Sequence, residues 1–269
     1  MFDRFDREIS YMRISVTDRC NLRCIYCIPP EGVKRKRPED ILSYEEIIRI
    51  VREAAGLGIR KIRLTGGEPL VRKDIPHLVR GLKALQGIRE VSMTTNGVLL
   101  ADMAWPLKEA GLDRLNISLD TMDPRLYKSL SRGGEIHRVL EGIEAVIRAG
   151  FRKTKLNMVL LPEKNERCVP RMAAFAREKG LVLQRINRYF LSSHESLERA
   201  VCEAERPLPC IRCNRIRLTA DGRLKPCLFS DLEYPVDPED VASALKKAVA
   251  AKPRHGSSCT TRGNWQIGG

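Results

Sequence analysis

The sequence predicts an α/β fold in which a parallel sheet curves into an open barrel. Strand-like and helix-like stretches alternate along the first 190 residues, which is typical of βα units in series. The strands alternate polar and apolar residues instead of forming continuous apolar runs. One face therefore packs on helices while the other lines a polar cavity. At 269 residues the chain is long enough for one such domain with a small extension.

Six strands and five helices are predicted in order. The strand candidates are 11–17, 59–65, 89–95, 113–119, 153–161 and 181–190. The helical patterns lie near 43–57, 74–86, 101–110, 135–149 and 166–179. The first helix begins with a capping box, in which Ser43 and Glu46 bond each other's backbone N–H groups.

The polar face of the strands is where ligand contacts are expected. In the second strand Ile62 and Leu64 share one face, while Lys61, Arg63 and Thr65 share the other. The same alternation places on the polar face Arg13, Thr94, Ser118 and Lys155. The cavity is therefore predicted to be rich in Arg and Lys. The alternative to a barrel lumen is an ordinary sheet that faces solvent.

The charge balance favours a polyanionic partner. Lys and Arg number 48 against 34 Asp and Glu, which gives a net charge of +14. Either nucleic acid or a phosphate-rich small molecule suits that balance. Aromatic residues are only 5% of the chain, so no stacking surface for single strands is indicated. No membrane-spanning run or signal peptide is recognised, so we expect a cytoplasmic protein whose thiols are reduced.

A first cysteine set follows the first strand. Cys20, Cys24 and Cys27 lie within eight residues. Thiolates are the usual ligands of a [4Fe–4S] cube, and three of them leave one iron open for a small molecule. A zinc site prefers four ligands in separated pairs. Disulfides do not suit a reducing compartment. The spacing therefore favours an iron–sulfur cluster.

A second cysteine set lies in the last third of the chain. Cys210 and Cys213 precede a predicted hairpin over 216–226 with a two-residue turn at Asp221-Gly222, and Cys227 follows it. Folding the hairpin brings Cys227 back toward Cys213. Two interpretations remain open: a second cube, or a zinc site with Cys259 or His255 as its fourth ligand.

A glycine pair follows the second strand. In Thr65-Gly66-Gly67-Glu68-Pro69, the glycines allow the backbone to approach a ligand closely. This stretch lies at the carboxyl end of a strand, where active sites of such barrels gather.

Together these motifs resemble those of the GTP 3′,8-cyclases, a family of radical S-adenosylmethionine (SAM) enzymes that begin molybdenum cofactor biosynthesis. The resemblance is carried by residues 11–21, 61–70, 94–97, 116–120, 213–222 and 266–269. It implies a partial (β/α)6 barrel over 1–190 and a C-terminal extension over 191–269 with a second [4Fe–4S] cluster. It also implies that SAM is split at the first cluster to an adenosyl radical. This radical removes a ribose hydrogen from GTP, and the ribose radical then attacks C8 of guanine.

The resemblance assigns site residues position by position. Both cysteine sets would hold [4Fe–4S] clusters. SAM contacts would be Tyr26, Gly67 and Ser118. GTP contacts would be Arg13, Arg63, Thr94, Lys155, Arg215 and Arg217, with Lys61 as a further phosphate contact. Arg215 and Arg217 are expected beside the second cluster, opposite the barrel wall that carries the other cations. The terminal Gly268 and Gly269 would reach into the active site.

The resemblance also implies partners. These are a flavodoxin- or ferredoxin-like electron donor and a downstream enzyme of the molybdopterin pathway; a membrane or nucleic-acid partner is not expected. The sequence leaves open whether the chain forms a homodimer.

One departure from the family pattern concerns the substrate enclosure. The segment 191–209 is shorter than in the family, so part of the cover over the barrel is expected to be missing. Cys168, Cys202 and Cys259 have no counterpart and are interpreted as incidental. Two other functions are considered: a radical SAM reaction on another nucleotide or small molecule, and a basic nucleic-acid-binding module with structural zinc.

Overall fold

The computed structural model describes residues 1–191, 209–237 and 239–267, and a single sheet organises them. Its strands are β1 (Tyr11–Ser15), β2 (Lys61–Thr65), β3 (Glu90–Thr95), β4 (Arg114–Ser118), β5 (Lys155–Leu160), β6 (Val182–Asn187), β7 (Arg215–Leu218), β8 (Arg223–Lys225) and β9 (Tyr234–Pro235). Their order in the sheet is β6-β5-β4-β3-β2-β1-β7-β8-β9. Strands β1 to β7 pair in parallel, and β8 and β9 pair antiparallel.

Helices connect the parallel strands as the alternation predicts. They are α1 (Tyr44–Gly56), α2 (Ile75–Lys83), α3 (Leu100–Glu109), α4 (Pro124–Ser131), α5 (Ile136–Arg148) and α6 (Val169–Glu178), followed in the extension by α7 (Val241–Ala250) and α8 (Asn264–Ile267). The capping box of α1 is confirmed. Ser43 Oγ accepts the Glu46 N–H at 3.1 Å, and Glu46 Oε2 accepts the Ser43 N–H at 2.6 Å. The predicted partial barrel of βα units is confirmed.

The sequence pattern does not predict α4. This helix has eight residues, too few to show a clear apolar period. It begins where Asp123 Oδ1 accepts the Leu126 N–H at 2.8 Å, with Pro124 in the first turn. The Asp-Pro pair was the available signal.

The core lies between the sheet and the helices. Met12, Ile14, Ile62 and Leu64 are fully buried on the helix-facing side of β1 and β2. Burial of each such side chain stabilises the fold by about 1.5–3 kcal/mol. The alternation inferred from the sequence is therefore real, and it leaves the polar residues of these strands on the opposite face.

The extension continues the barrel sheet, because β7 pairs with the edge of β1. The hairpin after β7 is confirmed, but the predicted two-residue turn is wrong. Thr219 donates its N–H to Arg223 O at 2.9 Å, so the loop contains three residues, of which Gly222 has a φ of +73°. The division of the chain at residues 190 and 191 stays a prediction.

Among the described residues, no helix combines the length and apolar composition needed to cross a bilayer.

Candidate active site

The first cysteine set lies in the loop after β1, at the carboxyl ends of the parallel strands. The Cys24 carbonyl accepts the N–H groups of Cys27 at 2.9 Å and Ile28 at 3.0 Å, which turns the loop tightly. All three thiols are partly buried. Burial, followed in size by the effect of Cys20, raises the pKa of Cys27 to about 12. Burial also raises the pKa of Cys24 strongly, followed in size by the effects of Asp120, Cys27 and Cys20. The thiols are thus close enough to influence each other's ionisation.

These three cysteines fit a cluster held by thiolates. A metal centre would provide the positive charge that buried thiols need in order to lose their protons. In the described residues no three Cys, His, Asp or Glu side chains converge on a single-ion site. A cube distributes its cysteines over separate irons, so this convergence is not required.

The glycine pair after β2 holds the first cysteine loop in place. Gly67 donates its N–H to Thr17 O at 2.8 Å, and Glu68 donates its N–H to Arg19 O at 2.8 Å. A Cβ on Gly66 would lie 2.5 Å from Thr17 O, and one on Gly67 would lie 2.3 Å from Arg19 O. The close neighbour of these glycines is the backbone that leads into the cysteine loop, and the predicted approach to SAM stays a prediction.

Glu68 is a buried carboxylate that the sequence reasoning did not assign to the site. It accepts hydrogen bonds from Leu70 N at 3.0 Å, Thr95 Oγ1 at 2.7 Å and Asn96 N at 2.6 Å. Asn96 in turn donates to Asn21 Oδ1 at 2.8 Å, inside the cysteine loop. Burial raises the pKa of Glu68 to about 7. Its position directly after the glycine pair was the signal that could have identified it.

A second buried acid, Asp120, orients Tyr26. The Tyr26 hydroxyl donates to Asp120 Oδ2 at 2.7 Å, and Val159 N–H donates to Asp120 Oδ1 at 2.8 Å. Burial raises the pKa of Asp120 to about 6. Burial also raises the pKa of Tyr26 well above its usual range. The aromatic ring inside the cysteine loop is therefore fixed to the end of β4.

Arginines form a row across the polar face of the sheet. In the strand register Arg217 of β7 lies beside Arg13 of β1, Arg13 beside Arg63 of β2, and Arg63 beside Ser92 of β3. The next partner of Ser92 is Arg114 of β4. Burial lowers the pKa of Arg13, and Arg217 lowers it further. Like charges buried together are unfavourable unless an anion faces them.

Other polar groups on this face have no partner among the residues that the structure describes. Within that part of the chain, the buried atoms Tyr11 Oη, Thr94 Oγ1, Asn116 Oδ1 and Asn157 Oδ1 have no hydrogen-bond partner. Buried polar atoms are nearly always satisfied, so exceptions point to a ligand. Lys155, in register with Asn116, donates from Nζ to Gln184 Oε1 at 3.3 Å. The face is therefore equipped to bind a polar, anionic molecule.

The second cysteine set lies toward the amino ends of the parallel strands β1 and β7. Cys213 precedes the start of β7, which is parallel to β1, whereas the first set follows the end of β1. Cys227 follows the end of β8, so it lies at the same end as Cys213. The pKa of Cys227 is raised by burial and, more weakly, by Cys213 and Cys210. The two cysteine sets are therefore separated by the arginine row.

The C-terminal tail is anchored to the extension and ends beside that row. Asp231 accepts the N–H groups of Thr260 at 2.7 Å and Thr261 at 3.0 Å. Arg262 forms two-pronged ion pairs with Asp221 and Glu233 at 2.7–3.1 Å. The described tail then ends at Ile267, whose carbonyl accepts a hydrogen bond from Arg217 Nη1 at 3.0 Å. Gly268 and Gly269 lie outside the described residues.

A sequence model of the Radical SAM superfamily matches residues 14–176. The GTP 3′,8-cyclase of Moorella thermoacetica is 41% identical over 94% of both chains. The GTP 3′,8-cyclases of Petrotoga mobilis and Alkaliphilus oremlandii are 38% and 37% identical, over 94% and 100% of this chain and of theirs. The chain belongs to the GTP 3′,8-cyclase family of radical SAM proteins.

Solved structures support the same fold at low identity. Streptococcus suis SuiB bound to S-adenosylmethionine matches with a TM-score of 0.68 and 16% identity, over 92% of this chain. The match spans 64% of SuiB, so this chain covers less than two thirds of that protein. Native anSMEcpe with bound AdoMet matches with a TM-score of 0.64 and 16% identity, over 91% of this chain and 81% of that one.

The structure brings the predicted substrate contacts to one face of the sheet, with one correction. Arg215 and Arg217 were expected opposite the barrel wall, but they pair in register with Tyr11 and Arg13 on the adjacent strand. The reason is that β7 adds to the edge of the same sheet. Lys61 is the first residue of β2, and its half-exposed side chain lies 3.8 Å from Glu90 Oε2.

Two of the three cysteines interpreted as incidental lie in the described part of the chain. Cys168 accepts a hydrogen bond from Thr121 Oγ1 at 3.2 Å. Cys259 is buried, with its sulfur 4.0 Å from both Thr261 Oγ1 and Arg262 O. Cys202 and the rest of the range 192–208 lie outside the described residues. The expected loss of cover over the barrel concerns this segment and therefore stays a prediction.

Proposed function

We propose that this protein is a radical SAM lyase that converts GTP to 3′,8-cyclised GTP, the first step of molybdenum cofactor biosynthesis. The observation that carries the proposal is the arginine row between two cysteine sets. A ligand that spans this space needs concentrated negative charge and a ring with atoms able to bind iron. A purine triphosphate has both, whereas a peptide or a neutral sugar does not.

The first cysteine set would hold a [4Fe–4S] cluster, with Tyr26, Gly67 and Ser118 around SAM. When bound, this cluster and SAM supply the adenosyl radical that removes a ribose hydrogen from the substrate. The residues of the chain position the two molecules: Asp120 holds the Tyr26 ring, and the glycine pair holds the loop against β2. The chemistry belongs to the cofactors, while the protein orients the reactants and excludes competing reactions.

The substrate would lie on the polar face. Its proposed contacts are Arg13, Lys61, Arg63, Thr94, Lys155, Arg215 and Arg217. Guanidinium groups bind phosphate oxygens through charge-assisted hydrogen bonds, which are stronger than neutral ones. The second cysteine set would hold another [4Fe–4S] cluster near the base. The tail supports a catalytic role for Gly268 and Gly269, since Ile267 already contacts Arg217.

The test is an anaerobic reaction with SAM, a reductant and GTP carrying deuterium at C3′ of the ribose. A flavodoxin- or ferredoxin-like protein would be the natural electron donor, and dithionite replaces it in the assay. We expect deuterium in the 5′-deoxyadenosine formed and a product with the mass of unlabelled GTP, because the cyclised radical takes one electron from the reductant and one proton from solvent. SAM cleavage without transfer of deuterium would reject this substrate.

A further inference from the structure

Lys252 is a buried lysine of the extension that the proposed reaction does not use. Only 2% of the residue is exposed. Its Nζ donates to Arg215 O at 2.7 Å and to Pro226 O at 2.8 Å. Within the described residues, no carboxylate lies at ion-pair distance from this ammonium. A buried ammonium that is balanced only by carbonyl dipoles is unfavourable, so its surroundings suggest a missing anion.

The two carbonyls belong to residues next to cysteines of the second set. Arg215 follows Cys213 by two residues, and Pro226 directly precedes Cys227. Burial raises the pKa of Cys213, but Lys252 and other neighbours lower it to below its usual range. Lys252 also acts against the rise that burial causes in the pKa of Cys227. Both effects agree with the hydrogen bonds, which hold the ammonium against the backbone beside Cys213 and Cys227.

The chain around Lys252 also contacts the other parts of this cysteine set. Arg7 donates to Cys210 O at 2.6 Å, to Pro253 O at 2.7 Å and to Arg254 O at 3.1 Å. A Cβ on Gly256 would lie 3.0 Å from Cys227 Sγ. The segment 252–256 thus packs against the second set, with Lys252 as its buried cation and Arg254 exposed.

Two other buried cations of this region show what is unusual about Lys252. Arg7 is neutralised by Asp3, with Nε 2.7 Å from Oδ2. Lys225 is fully buried, but its Nζ lies 3.1 Å from Glu233 Oε1. Both have a carboxylate from the chain itself.

We propose that Lys252 is a positioning residue for the second metal centre, where its ammonium faces the sulfurs of Cys213 and Cys227 and balances the charge of a cluster held by three thiolates. This inference rests on the proposed function, because it requires a cluster at the second set. Hydrogen bonds to the sulfurs and nearby charges set the reduction potential of such a cluster. A fixed cation favours the more negative, reduced state and so raises the potential.

The test compares Lys252→Gln and Lys252→Met with the charge-retaining Lys252→Arg. Each protein is loaded with iron anaerobically, and the potential of the second centre is measured by a redox titration followed by electron paramagnetic resonance. Repeating the titration after replacing Cys20, Cys24 and Cys27 with Ala isolates the second centre. We expect a more negative potential in both neutral variants and a value near that of the unmodified protein in Lys252→Arg.

Lys225→Met is the matched control for the loss of a buried lysine. It removes a cation paired with Glu233, so we expect lower thermal stability and a much smaller change in potential. Full iron content with an unchanged potential in Lys252→Gln would overturn the proposal, because a purely structural lysine would behave in that way.

Loss of the cluster is also informative. If both neutral variants lose the iron of the second site while Lys252→Arg keeps it, the positive charge is required and the proposal stands. If Lys252→Arg loses it equally, the role is one of packing and the proposal fails. If the unmodified protein binds only about four irons, the second centre of the proposed function fails, which is a separate result from any effect of Lys252.

Discussion

The two cysteine sets are similar in number but lie in opposite electrostatic surroundings. The first is bordered by two buried acids, Glu68 and Asp120, and burial raises the pKa of its thiols. The second is bordered by cations: burial raises the pKa of Cys213 and Cys227 there too, but Lys252 opposes both rises and, with other neighbours, brings the pKa of Cys213 below its usual range. An acidic border favours a cofactor that carries positive charge, as the sulfonium of SAM does. A cationic border favours an anion. The surroundings, rather than the ligands, distinguish the two sites.

Replacing the cysteines of either set should have the largest effects, on iron content and on SAM cleavage, and so tests this comparison most directly. The protein should hold about eight irons, as expected for two cubes. Replacing Cys20, Cys24 and Cys27 with Ala should halve the iron and abolish SAM cleavage, because no open iron remains beside the acidic border. Iron analysis and chromatography of 5′-deoxyadenosine measure both outcomes.

The same experiment on the second set should separate the two roles. Replacing Cys210, Cys213 and Cys227 with Ala should also halve the iron but leave some SAM cleavage that is uncoupled from GTP. Zinc in place of half of the iron would contradict a second cube and would identify the second set as a structural zinc site.

Removal of the tail tests whether the second region completes the active site. Deleting Gly268 and Gly269 should suppress product formation while both clusters and the melting temperature are kept, because the anchors at Asp231 and Arg262 remain. Product analysis by mass spectrometry, with iron content as the control, checks this. Unchanged turnover would make the tail an ordinary chain end.

Single cations of the polar face should have smaller, graded effects. Arg63→Ala or Lys155→Ala should weaken GTP binding about tenfold or more, because each loses a charge-assisted contact worth roughly 1.5–3 kcal/mol. Guanosine binding should hardly change, since it has no phosphates. Calorimetric titration of both ligands measures this.

The exposed Arg80 on α2 is the matched control for these substitutions, and Arg80→Ala should leave both affinities unchanged. Equal affinity of the unmodified protein for GTP and guanosine would reject the assignment of the polar face to phosphates.

The fold and the positions of the motif residues could be predicted from the sequence. The residues that surround these positions in the folded protein could not. Period-two alternation on β1 and β2 identified the face of Arg13 and Arg63, because each strand's register follows from which side is buried. It could not show that β7 joins the edge of β1, since strand order depends on distant pairing. Arg215 and Arg217 were therefore expected on the wrong wall.

Buried partners were missed for a related reason. Lys252 and Arg262 lie in stretches without a motif, and in a list of residues they look like solvated charges. Their roles arise from burial and from groups far along the chain: Lys252 contacts Arg215 O, 37 residues away, and Arg262 contacts Asp221, 41 residues away. Only folding brings such pairs together.

Two acids of the described chain, Glu68 beside the first cysteine set and Asp221 in the hairpin loop after β7, should also give opposite dependences of stability on pH. Burial raises the pKa of Glu68 from 4.5 to about 7, so the folded protein holds this proton more tightly than the unfolded chain. Stability should therefore fall as the pH rises from about 4.5 to 7, by up to about 3 kcal/mol.

Burial also raises the pKa of Asp221, but Arg262, Thr219 and Lys36 lower it to well below its usual range, so its contribution is lost only in acid. Glu68→Gln should flatten the change in unfolding free energy between pH 5 and pH 8, whereas Asp221→Asn should lower stability throughout that range without changing the slope. Urea unfolding under anaerobic conditions measures both. An unchanged slope in Glu68→Gln would mean that its three hydrogen bonds already keep the carboxylate ionised, and the acidic border of the first set would then carry a full negative charge at neutral pH.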